Sequence, residues 1–566
     1  MMDNKETLSR NKAHSLGGHL LVECLIEQGV THVFGVPGES YLAVLDGFHQ
    51  HQGKIEFITN RQEGGAAFMA EAVGKLTRRP GVCMVTRGPG ATNASIGLHN
   101  AFQDGTPMVL FVGDVGSDFR DREAFQEVDY NSFFGPNAKG LAKHVERIDD
   151  VNRLPEYVSR AFAMAMNGRP GPVVVVLPED MLTHATTARP LPRVEPVKYG
   201  PNVDQLSHVL RMLSDAKRPL MIVGGSGWCP ESAKLLEQFA FDWHMPVANA
   251  FRFQDVFDNH HELYAGDVGI GINPALAQSI KDADLILALG PRLGEMTTGG
   301  YTLLKAPEPL QKLIHAHLNP EELHRVYRAD LALASDMKSL MQGLCSLKSP
   351  AKCAWQGWTS KLHQDYVQCR IPSPSSDDVD IARLVEIVSQ YAPPDTVFTN
   401  GAGNFSGWLH RFHPYHGLSR GQKTQLAPTS GAMGYGVPAG IAAAVTQRRT
   451  VVTFAGDGDF LMTGQELATA TQHGAKTIVI LLNNGMYGTI RMHQEREYPG
   501  RVSGSNLSNP DFCSLATAYG YEAARVSLTS EFEPAFKAAL ASRSGFLIEV
   551  MQNPASISTR TRLKLS

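Results

Sequence analysis

The sequence predicts an α/β protein made of three consecutive doubly wound domains, each built on a parallel sheet. Three observations predict this class. First, 566 residues are too many for one hydrophobic core and correspond to roughly three domains of ordinary size. Second, apolar runs rich in β-branched residues alternate with helical segments in each third of the chain, which is typical of a parallel sheet covered by helices. Third, two polar bridges that contain proline interrupt this alternation.

The two bridges set the predicted domain boundaries. The first is proline-rich, with Pro190, Pro192, Pro196 and Pro201, and the second covers residues 348–378. The predicted organisation is a flexible N-terminus at 1–14, a first domain at 15–189, a central domain at 202–345, a linker at 346–378, a third domain at 379–552 and a C-terminal tail at 553–566.

The elements of each domain follow from hydrophobic period and composition. In the first domain we predict a helix over 17–28 and strands at 32–36, 55–59, 81–86, 108–112 and 172–177. In the central domain we predict strands at 219–223 and 285–289, the first of them followed by Gly224-Gly225-Ser226-Gly227. In the third domain we predict strands at 396–399, 450–455 and 477–482, with a helix over 465–473 between the last two.

Bulk properties exclude several classes of function. The formal net charge of −4 gives no electrostatic footprint for nucleic acid or an anionic membrane. No apolar run reaches the roughly 18–20 residues that span a bilayer, and the N-terminus is polar and lacks the apolar region of a signal peptide. The seven cysteines are scattered without a CxxC pair, so we expect free thiols in a reducing cytoplasm.

Two short motifs lie at the ends of neighbouring predicted strands in the third domain. Gly456-Asp457-Gly458 follows the strand at 450–455, and Asn483-Asn484 follows the strand at 477–482. A crossover helix joins these strands, so Asp457 and Asn484 are expected side by side where open α/β sheets bind ligands. Carboxylate, amide and carbonyl oxygens suit Mg²⁺, which completes its octahedron with phosphate and water. Gly-Asp-Gly alone is a common turn, so the prediction depends on the asparagine pair.

This pair of motifs resembles the diphosphate-binding signature of thiamine diphosphate (ThDP) enzymes. The resemblance extends over nearly the whole chain, to the family of acetolactate synthases, pyruvate oxidases and related 2-oxo acid decarboxylases. It implies ThDP and Mg²⁺ as cofactors, and it names the three domains pyrimidine-binding, central and diphosphate-binding. It also implies that the backbone carbonyl of Met486 joins Asp457 and Asn484 as a metal ligand.

Glu63 is the expected catalytic acid. ThDP loses its C2 proton when a carboxylic acid hydrogen-bonds N1′ of its pyrimidine, which calls for a glutamate in a water-poor pocket. Glu63 follows a predicted strand and opens an Ala/Gly-rich helix, and its surroundings resemble the family pattern Arg-x-Glu-x-x-Ala-x-x-x-Ala. Without the resemblance, an acidic residue in the first turn of a helix is also favourable by itself.

Further cofactor contacts are implied by resemblance to family segments. Met433, between glycines in Ser430–Gly436, matches the apolar wedge that keeps the cofactor bent, although a methionine also serves as a core gap-filler. The glycine-rich loops at 400–405 and 88–93 match the diphosphate and pyrimidine loops, and either could be a plain strand-to-helix turn. The implied cofactor-binding residues are Asn93, Ala402, Gly403, Asn404, Phe405, Met433, Gly458, Asp459, Met486, Tyr487 and Gly488.

The chain departs from the family pattern where substrates bind. Acetolactate synthases have a tryptophan nine residues after the second asparagine, and His493 stands there, near Arg491 and Arg496. Gln126 lies in a segment that resembles one reaching into the active site of synthases and acyl-CoA lyases. Glu39 follows Val36-Pro37-Gly38 and is expected either to protonate the reacting carbon or to be an exposed turn residue.

The central domain also departs from the FAD-binding branch of the family. Arg292 survives from the flavin segment Gly-x-Arg-x-Asp-Asp-Arg, but the Asp-Asp-Arg portion does not. His317 and Asn319 stand where carboxylates that bind ribose are common. The sequence therefore favours a structural central domain over one that binds FAD, and FAD remains open.

The resemblance implies a Mg²⁺/ThDP-dependent decarboxylase or carboligase, similar to acetolactate synthase, acting on a small 2-oxo acid. CO₂ leaves, and a carbonyl acceptor or a proton captures the resulting carbanion equivalent. The alternatives are a lyase of the 2-hydroxyacyl-CoA type and a non-catalytic oligomer partner. Family sites join two subunits, which implies a homodimer or homotetramer, and the small apolar stretch at 64–70 would make a poor solvent-exposed surface. A site closed within one chain stays open.

Overall fold

Three six-stranded sheets follow one another along the chain, and every strand pairing within them is parallel. This computed structural model describes residues 15–135 and 140–564, and the predicted flexible N-terminus at 1–14 lies outside them. The predicted fold class is confirmed.

The first sheet has the strand order β3-β2-β4-β5-β7-β6, and both of its faces are covered. On β5, Leu110 packs into one apolar cluster while its neighbours Val109 and Phe111 pack into another. The six strands of this sheet are β2 His32–Gly35, β3 Glu56–Thr59, β4 Gly81–Val85, β5 Met108–Asp114, β6 His144–Arg147 and β7 Pro172–Pro178. Two short strands, β1 Ser15–Leu16 and β8 Ala185–Thr186, pair with each other outside it. Its helices are α1 Gly17–Glu27, α2 Leu42–Gln50, α3 Glu63–Thr77, α4 Pro89–Asp104, α5 Tyr130–Phe134, α6 Leu154–Met166 and α7 Glu179–Thr183.

The central sheet has the order β11-β10-β9-β12-β13-β14. Its strands are β9 Pro219–Val223, β10 Val247–Ala250, β11 Tyr264–Val268, β12 Leu285–Leu289, β13 Lys312–His317 and β14 Leu331–Ala334. Its helices are α8 Val203–Asp215, α9 Pro230–Trp243, α10 Pro274–Asp282 and α11 Met337–Cys345. The segment predicted as a linker contains a further helix, α12 Gln356–Cys369, because Trp355 and Trp358 anchor its start in the central core.

The third sheet has the order β16-β15-β17-β18-β20-β19, which places β17 and β18 side by side at its centre. Its strands are β15 Val397–Asn400, β16 Gln425–Leu426, β17 Val451–Gly456, β18 Ile478–Asn483, β19 Glu522–Val526 and β20 Phe546–Met551. Its helices are α13 Ile381–Tyr391, α14 Ser406–Phe412, α15 Gly436–Gln447, α16 Asp457–Phe460, α17 Leu467–Gln472, α18 Gly488–Glu497, α19 Phe512–Ala518 and α20 Thr529–Ala541.

The first and third sheets share one apolar core, formed where α3 packs against α15. Small residues on both helices, among them Ala66, Ala70, Ala439 and Ala443, allow this close approach. The stretch at 64–70 is buried here, within one chain. The expectation that this stretch is not exposed to solvent is confirmed, and α15 of the same chain covers it.

No helix in the described parts of the chain combines the length and the apolar character needed to cross a membrane.

Candidate active site

The predicted metal ligands lie together at the centre of the third sheet's carboxyl edge. β17 ends at Gly456 and β18 at Asn483, so the loops that follow these strands meet. The Asp457 carboxylate accepts hydrogen bonds from the backbone N–H of Gly458 at 2.9 Å and of Gly485 at 2.8 Å. The Asn484 side-chain oxygen accepts one from the N–H of Met486 at 3.2 Å. Burial raises the pKa of Asp457, a cost that a bound divalent cation would offset.

Asn509 belongs to this group, and the sequence analysis missed it. Its amide nitrogen donates to Asp457 at 2.8 Å and to the side-chain oxygen of Asn483 at 2.9 Å. Its own side-chain oxygen is buried and has no hydrogen-bond partner among the described residues. A buried oxygen acceptor without a donor, beside a carboxylate, fits a site for a hard cation. No motif marks Asn509, because it lies 52 residues beyond Asp457.

Asp459 connects two of the expected cofactor loops. One of its buried oxygens accepts from the backbone N–H of Ala402 at 3.0 Å and of Gly434 at 2.8 Å. Burial raises its pKa to about 7. Asp459 thus holds the loop at 400–405 against the loop that carries Met433.

The remaining residues of the loop at 400–405 divide between cavity and core. Ala402, Gly403 and Asn404 line a cavity, and the Asn404 N–H donates to the Thr489 hydroxyl at 3.0 Å, which ties the loop to α18. Phe405 is buried in the apolar core of the third domain. Met433 is half-buried beside Gly434.

Gly458 allows an aromatic ring to lie against the metal loop. A Cβ atom at this position would lie 2.5 Å from the ring of Tyr487, so any larger residue would have to displace that ring. Gly488 begins α18, and a Cβ there would lie 3.2 Å from the amide nitrogen of Asn484. Tyr487 and Gly488 are therefore packed directly around the predicted ligands.

A second group of predicted residues lies at the carboxyl edge of the first sheet. Glu63 begins α3, whose N-cap Gln62 accepts from the N–H of Gly65, and Asn93 donates its amide to Glu63 at 2.9 Å. The buried Arg87 donates to Glu39 at 2.9 Å and to the backbone carbonyl of Phe125, the residue before Gln126, at 3.2 Å. Two-thirds of the Glu39 side chain is exposed, at 67%.

Glu466 of the third domain, also missed by the sequence analysis, holds the segment just before Glu63. Its carboxylate accepts from the Asn60 amide at 3.1 Å and from the backbone N–H of Arg61 at 3.1 Å and of Gln62 at 3.0 Å. No hydrogen bond or ion pair among residues 15–135 and 140–564 joins Glu63 itself to the metal loops. Within one chain, Glu63 and the predicted metal ligands therefore lie in two separate hydrogen-bonded groups, the two half-sites.

A cavity of about 930 Å³ opens from the loop at 402–404 toward the carboxyl ends of the strands of the central domain. His493 and Arg496 line it, whereas Arg491 turns to Glu495 at 2.9 Å. Of the three basic residues named around the family's tryptophan position, two therefore face the cavity.

The central-domain residues weighed for FAD offer no carboxylate to a ribose. His317 lines the cavity, burial lowers its pKa to about 3, and its ring accepts from the N–H of Asn319 at 2.9 Å. The Asn319 side chain caps residues 320–322. Arg292 also lines the cavity and donates to the side chain of Gln103 at 3.1 Å. These residues do not fit the usual way of holding a dinucleotide.

Comparison with known protein families covers all three domains. The N-terminal TPP binding domain of thiamine pyrophosphate enzymes matches residues 16–133, the central domain matches 206–344, and the C-terminal TPP binding domain matches 401–550. The chain belongs to the thiamine pyrophosphate enzyme family. It is a ThDP-dependent enzyme related to the acetolactate synthases.

The curated relatives cover most of the chain. The acetolactate synthase large subunit of Lactococcus lactis subsp. lactis is 30% identical over 514 residues, which is 89% of this chain and 87% of that protein. The acetolactate synthase isozyme 2 large subunit of Escherichia coli is 30% identical over 94% of this chain and 95% of its own length. The mitochondrial acetolactate synthase of Schizosaccharomyces pombe is 30% identical over 94% and 83%. The chain is similar to these proteins over 89–94% of its length.

Proposed function

We propose that this protein is a Mg²⁺/ThDP-dependent decarboxylase or carboligase that acts on a small 2-oxo acid. The observation that carries the proposal is that Asp457, Asn484 and Met486 follow the adjacent strands β17 and β18 of the third sheet. ThDP held there would supply a nucleophilic thiazolium C2 for attack on the substrate carbonyl and an electron sink for the loss of CO₂.

The third domain would hold the diphosphate end of the cofactor. Side-chain oxygens of Asp457 and Asn484 and the Met486 carbonyl would bind Mg²⁺, an oxygen-only set that suits this ion. Backbone N–H groups of the loop at 402–404 would face the diphosphate, and Met433 would support the bend between the two rings.

The first domain would supply the proton chemistry. Glu63, oriented by Asn93, would share its proton with N1′ of the pyrimidine. Glu39, held by Arg87, would deliver a proton to the reacting carbon, and Gln126 would border the substrate. FAD is not part of this proposal, because the residues that would hold its ribose are neutral and bonded locally.

Release of CO₂ from a panel of 2-oxo acids tests the proposal, with Glu63→Gln as the matched inactive variant. The carboxamide fills the same volume but cannot relay a proton, so exchange of the C2 proton should fall by orders of magnitude while Mg²⁺/ThDP binding persists. C–C cleavage of a 2-hydroxyacyl-CoA without CO₂ release from any oxo acid would replace the proposal with a lyase. If the wild-type protein does not promote exchange of the C2 proton of ThDP, it is a non-catalytic relative.

The proposal includes a homodimer or homotetramer whose sites lie between subunits. Exposed apolar side chains surround both half-sites and support a contact with another copy: Ile96 and Phe125 are 42% and 73% exposed in the first domain, and Leu461, Met462 and Ile490 are 43%, 45% and 54% exposed in the third.

Mixing two inactive variants tests this assembly. Glu63→Gln and Asp457→Ala would be dissociated, combined and reassembled. Sites formed by two chains should regain activity, at up to one intact site per mixed dimer. Sites closed within one chain would stay inactive, which would refute the shared site.

We also propose a cytoplasmic location. All seven cysteines are free thiols, which agrees with a reducing compartment.

A further inference from the structure

Arg87 lies at the carboxyl edge of the first sheet, just after β4. Its guanidinium donates to the carboxylate of Glu39 at 2.9 Å and to that of Glu179 at 3.1 Å. The two acids belong to the segments that follow β2 and β7, so one side chain joins the ends of three strands. The Arg87 side chain is 9% exposed, whereas the side chains of Glu39 and Glu179 are 67% and 41% exposed. The buried arginine therefore anchors two acids that otherwise face solvent.

The same guanidinium holds the loop that carries Gln126. Its Nε atom donates to the backbone carbonyl of Phe125 at 3.2 Å. Within the loop, the Glu127 carboxylate accepts from the backbone N–H of Asp121 at 2.7 Å and of Ala124 at 2.9 Å. These internal bonds fix the shape of the loop, whereas the bond from the guanidinium ties it to the end of β4.

The backbone of this loop is strained. Asp121, Glu123 and Gln126 have φ angles of 63°, 52° and 65°, in the left-handed region that residues other than glycine uncommonly adopt. Such conformations persist only where surrounding contacts enforce them. We therefore expect the backbone at Gln126 to relax when the neighbouring carbonyl loses its charged donor.

Glu63 lies on the other side of the turn that follows Arg87. A Cβ atom on Gly88 would lie 2.6 Å from the carbonyl oxygen of Gln126. A Cβ atom on Gly90 would lie 3.5 Å from a carboxylate oxygen of Glu63. The turn at 88–90 thus packs between the loop of Gln126 and the expected catalytic acid. Arg87 and its partners therefore belong to the half-site of the first domain.

We propose that Arg87 is a positioning residue, which fixes Glu39 through an ion pair and Gln126 through the carbonyl that precedes it. Glu179 is the counter-ion that keeps the guanidinium in this orientation. A planar guanidinium suits the role because its donors form a rigid fork, which the ammonium of a lysine cannot reproduce. The inference rests on the proposed function and names the residue on which its two substrate-side groups depend.

A double-mutant cycle in the Mg²⁺/ThDP holoenzyme tests the inference, with CO₂ release from the preferred donor of the 2-oxo acid panel as the assay. The variants are Arg87→Gln, Glu39→Gln and the two combined. Arg87→Gln should lower kcat/KM about tenfold or more, since a misplacement of about 1 Å can cost about a hundredfold in rate. The combined variant should lose no more kcat than Glu39→Gln alone, because residues that act through one another are not additive.

Two further readouts separate positioning from a general loss of stability. KM should rise in Arg87→Gln and stay raised in the combined variant, because Gln126 is displaced in both. ThDP affinity and exchange of the C2 proton should persist, since no hydrogen bond among the described residues joins Arg87 to Glu63 or Asp457.

Arg87→Lys distinguishes the two arms of the guanidinium. A lysine can still pair with Glu39 but has no Nε donor for the carbonyl of Phe125, so kcat should recover more than KM. This variant also keeps the test decisive if Arg87→Gln does not fold. Glu179→Gln should lower kcat/KM in the same direction by less, because it leaves both arms in place but frees the guanidinium.

Arg79→Gln is the matched control. Arg79 precedes β4, at the opposite edge of the same sheet, and its side chain is 19% exposed. It donates to the carbonyl of Val194 at 2.7 Å and pairs with Glu195 at 3.5 Å. Its loss should change thermal stability and leave kcat and KM unchanged.

Three results overturn the inference while leaving the proposed function intact. They are additive losses of kcat in the cycle, an unchanged KM in both Arg87 variants, and a loss of kcat/KM in Arg87→Gln no larger than in Arg79→Gln. A wild-type protein that releases no CO₂ from any donor and does not promote exchange of the C2 proton would instead refute the proposed function.

Discussion

Replacing Lys75 with methionine should destabilise the contact between the first and third domains. The Lys75 ammonium is 3.1 Å from Glu71 and also bonds Asp104, and both carboxylates are fully buried. It donates as well to the carbonyl of Ala427 at 3.1 Å, while Glu71 accepts from the Tyr435 hydroxyl at 2.7 Å. This group therefore joins α3 to the loop that carries Met433.

The size of the effect follows from burial. Methionine keeps most of the volume of lysine, so the change removes a charge rather than creating a cavity. Removing one partner of a buried ionic group costs about 3–5 kcal/mol, because the remaining charge is left uncompensated. At roughly 2 °C per kcal/mol for a cooperative unit of this size, the first thermal transition should fall by about 6–10 °C.

The pH dependence gives a second signature. Burial already raises the pKa of Glu71, and the Lys75 ammonium opposes that shift. Without the ammonium, the pKa of Glu71 rises further and the folded variant holds an extra proton on this carboxyl. The pKa of Glu71 is higher in the folded variant than in the unfolded chain. Protonation of Glu71 therefore stabilises the folded state fully below the unfolded pKa, and this stabilisation is lost as the pH rises through the folded pKa. The defect relative to wild type should therefore be smaller at pH 5.5 than at pH 8.

Thermal unfolding at both pH values measures this prediction, with Lys361→Met as the control. Lys361 pairs with Asp365 at 2.6 Å on an exposed face of α12, where such pairs contribute at most about 1 kcal/mol. A shift in Lys75→Met no larger than in this control, or a defect independent of pH, would refute the reasoning.

Three more predictions concern the half-sites. Asp457→Ala should weaken ThDP and Mg²⁺ together, because the ion bridges protein and diphosphate, and unchanged calorimetric ThDP affinity in excess Mg²⁺ would reject the metal assignment. Gly458→Ala should weaken ThDP binding by displacing the Tyr487 ring, while Gly357→Ala, whose Cβ meets open space, should not. Glu466→Gln should slow C2-proton exchange about tenfold or more with ThDP affinity retained, since an amide presents a donor to groups that already donate; exchange at the wild-type rate would show that Glu466 does not position Glu63.

Sequence alone determined the features that depend on neighbours along the chain. A buried strand followed by Gly-Asp-Gly, and a second strand followed by Asn-Asn, identified one sheet edge, because consecutive parallel strands joined by a helix end on the same side. The same logic placed Glu63 at the start of α3, where the structure has it. Alternation of apolar runs and helices was sufficient to predict three parallel sheets.

Tertiary structure decided everything that joins distant segments. Asn509 and Glu466 reach the half-sites from positions that no local pattern marks, and Asp459 holds two loops through backbone donors that sequence does not reveal. The small residues at 64–70 predicted close packing correctly, but not that α15 of the same chain is the partner. The sequence predicts a C-terminal tail at 553–566, yet residues 558–561 line the cavity of about 930 Å³. Residue type and period specify what a surface can pack against, whereas the identity of its partner is set only when the whole chain is packed.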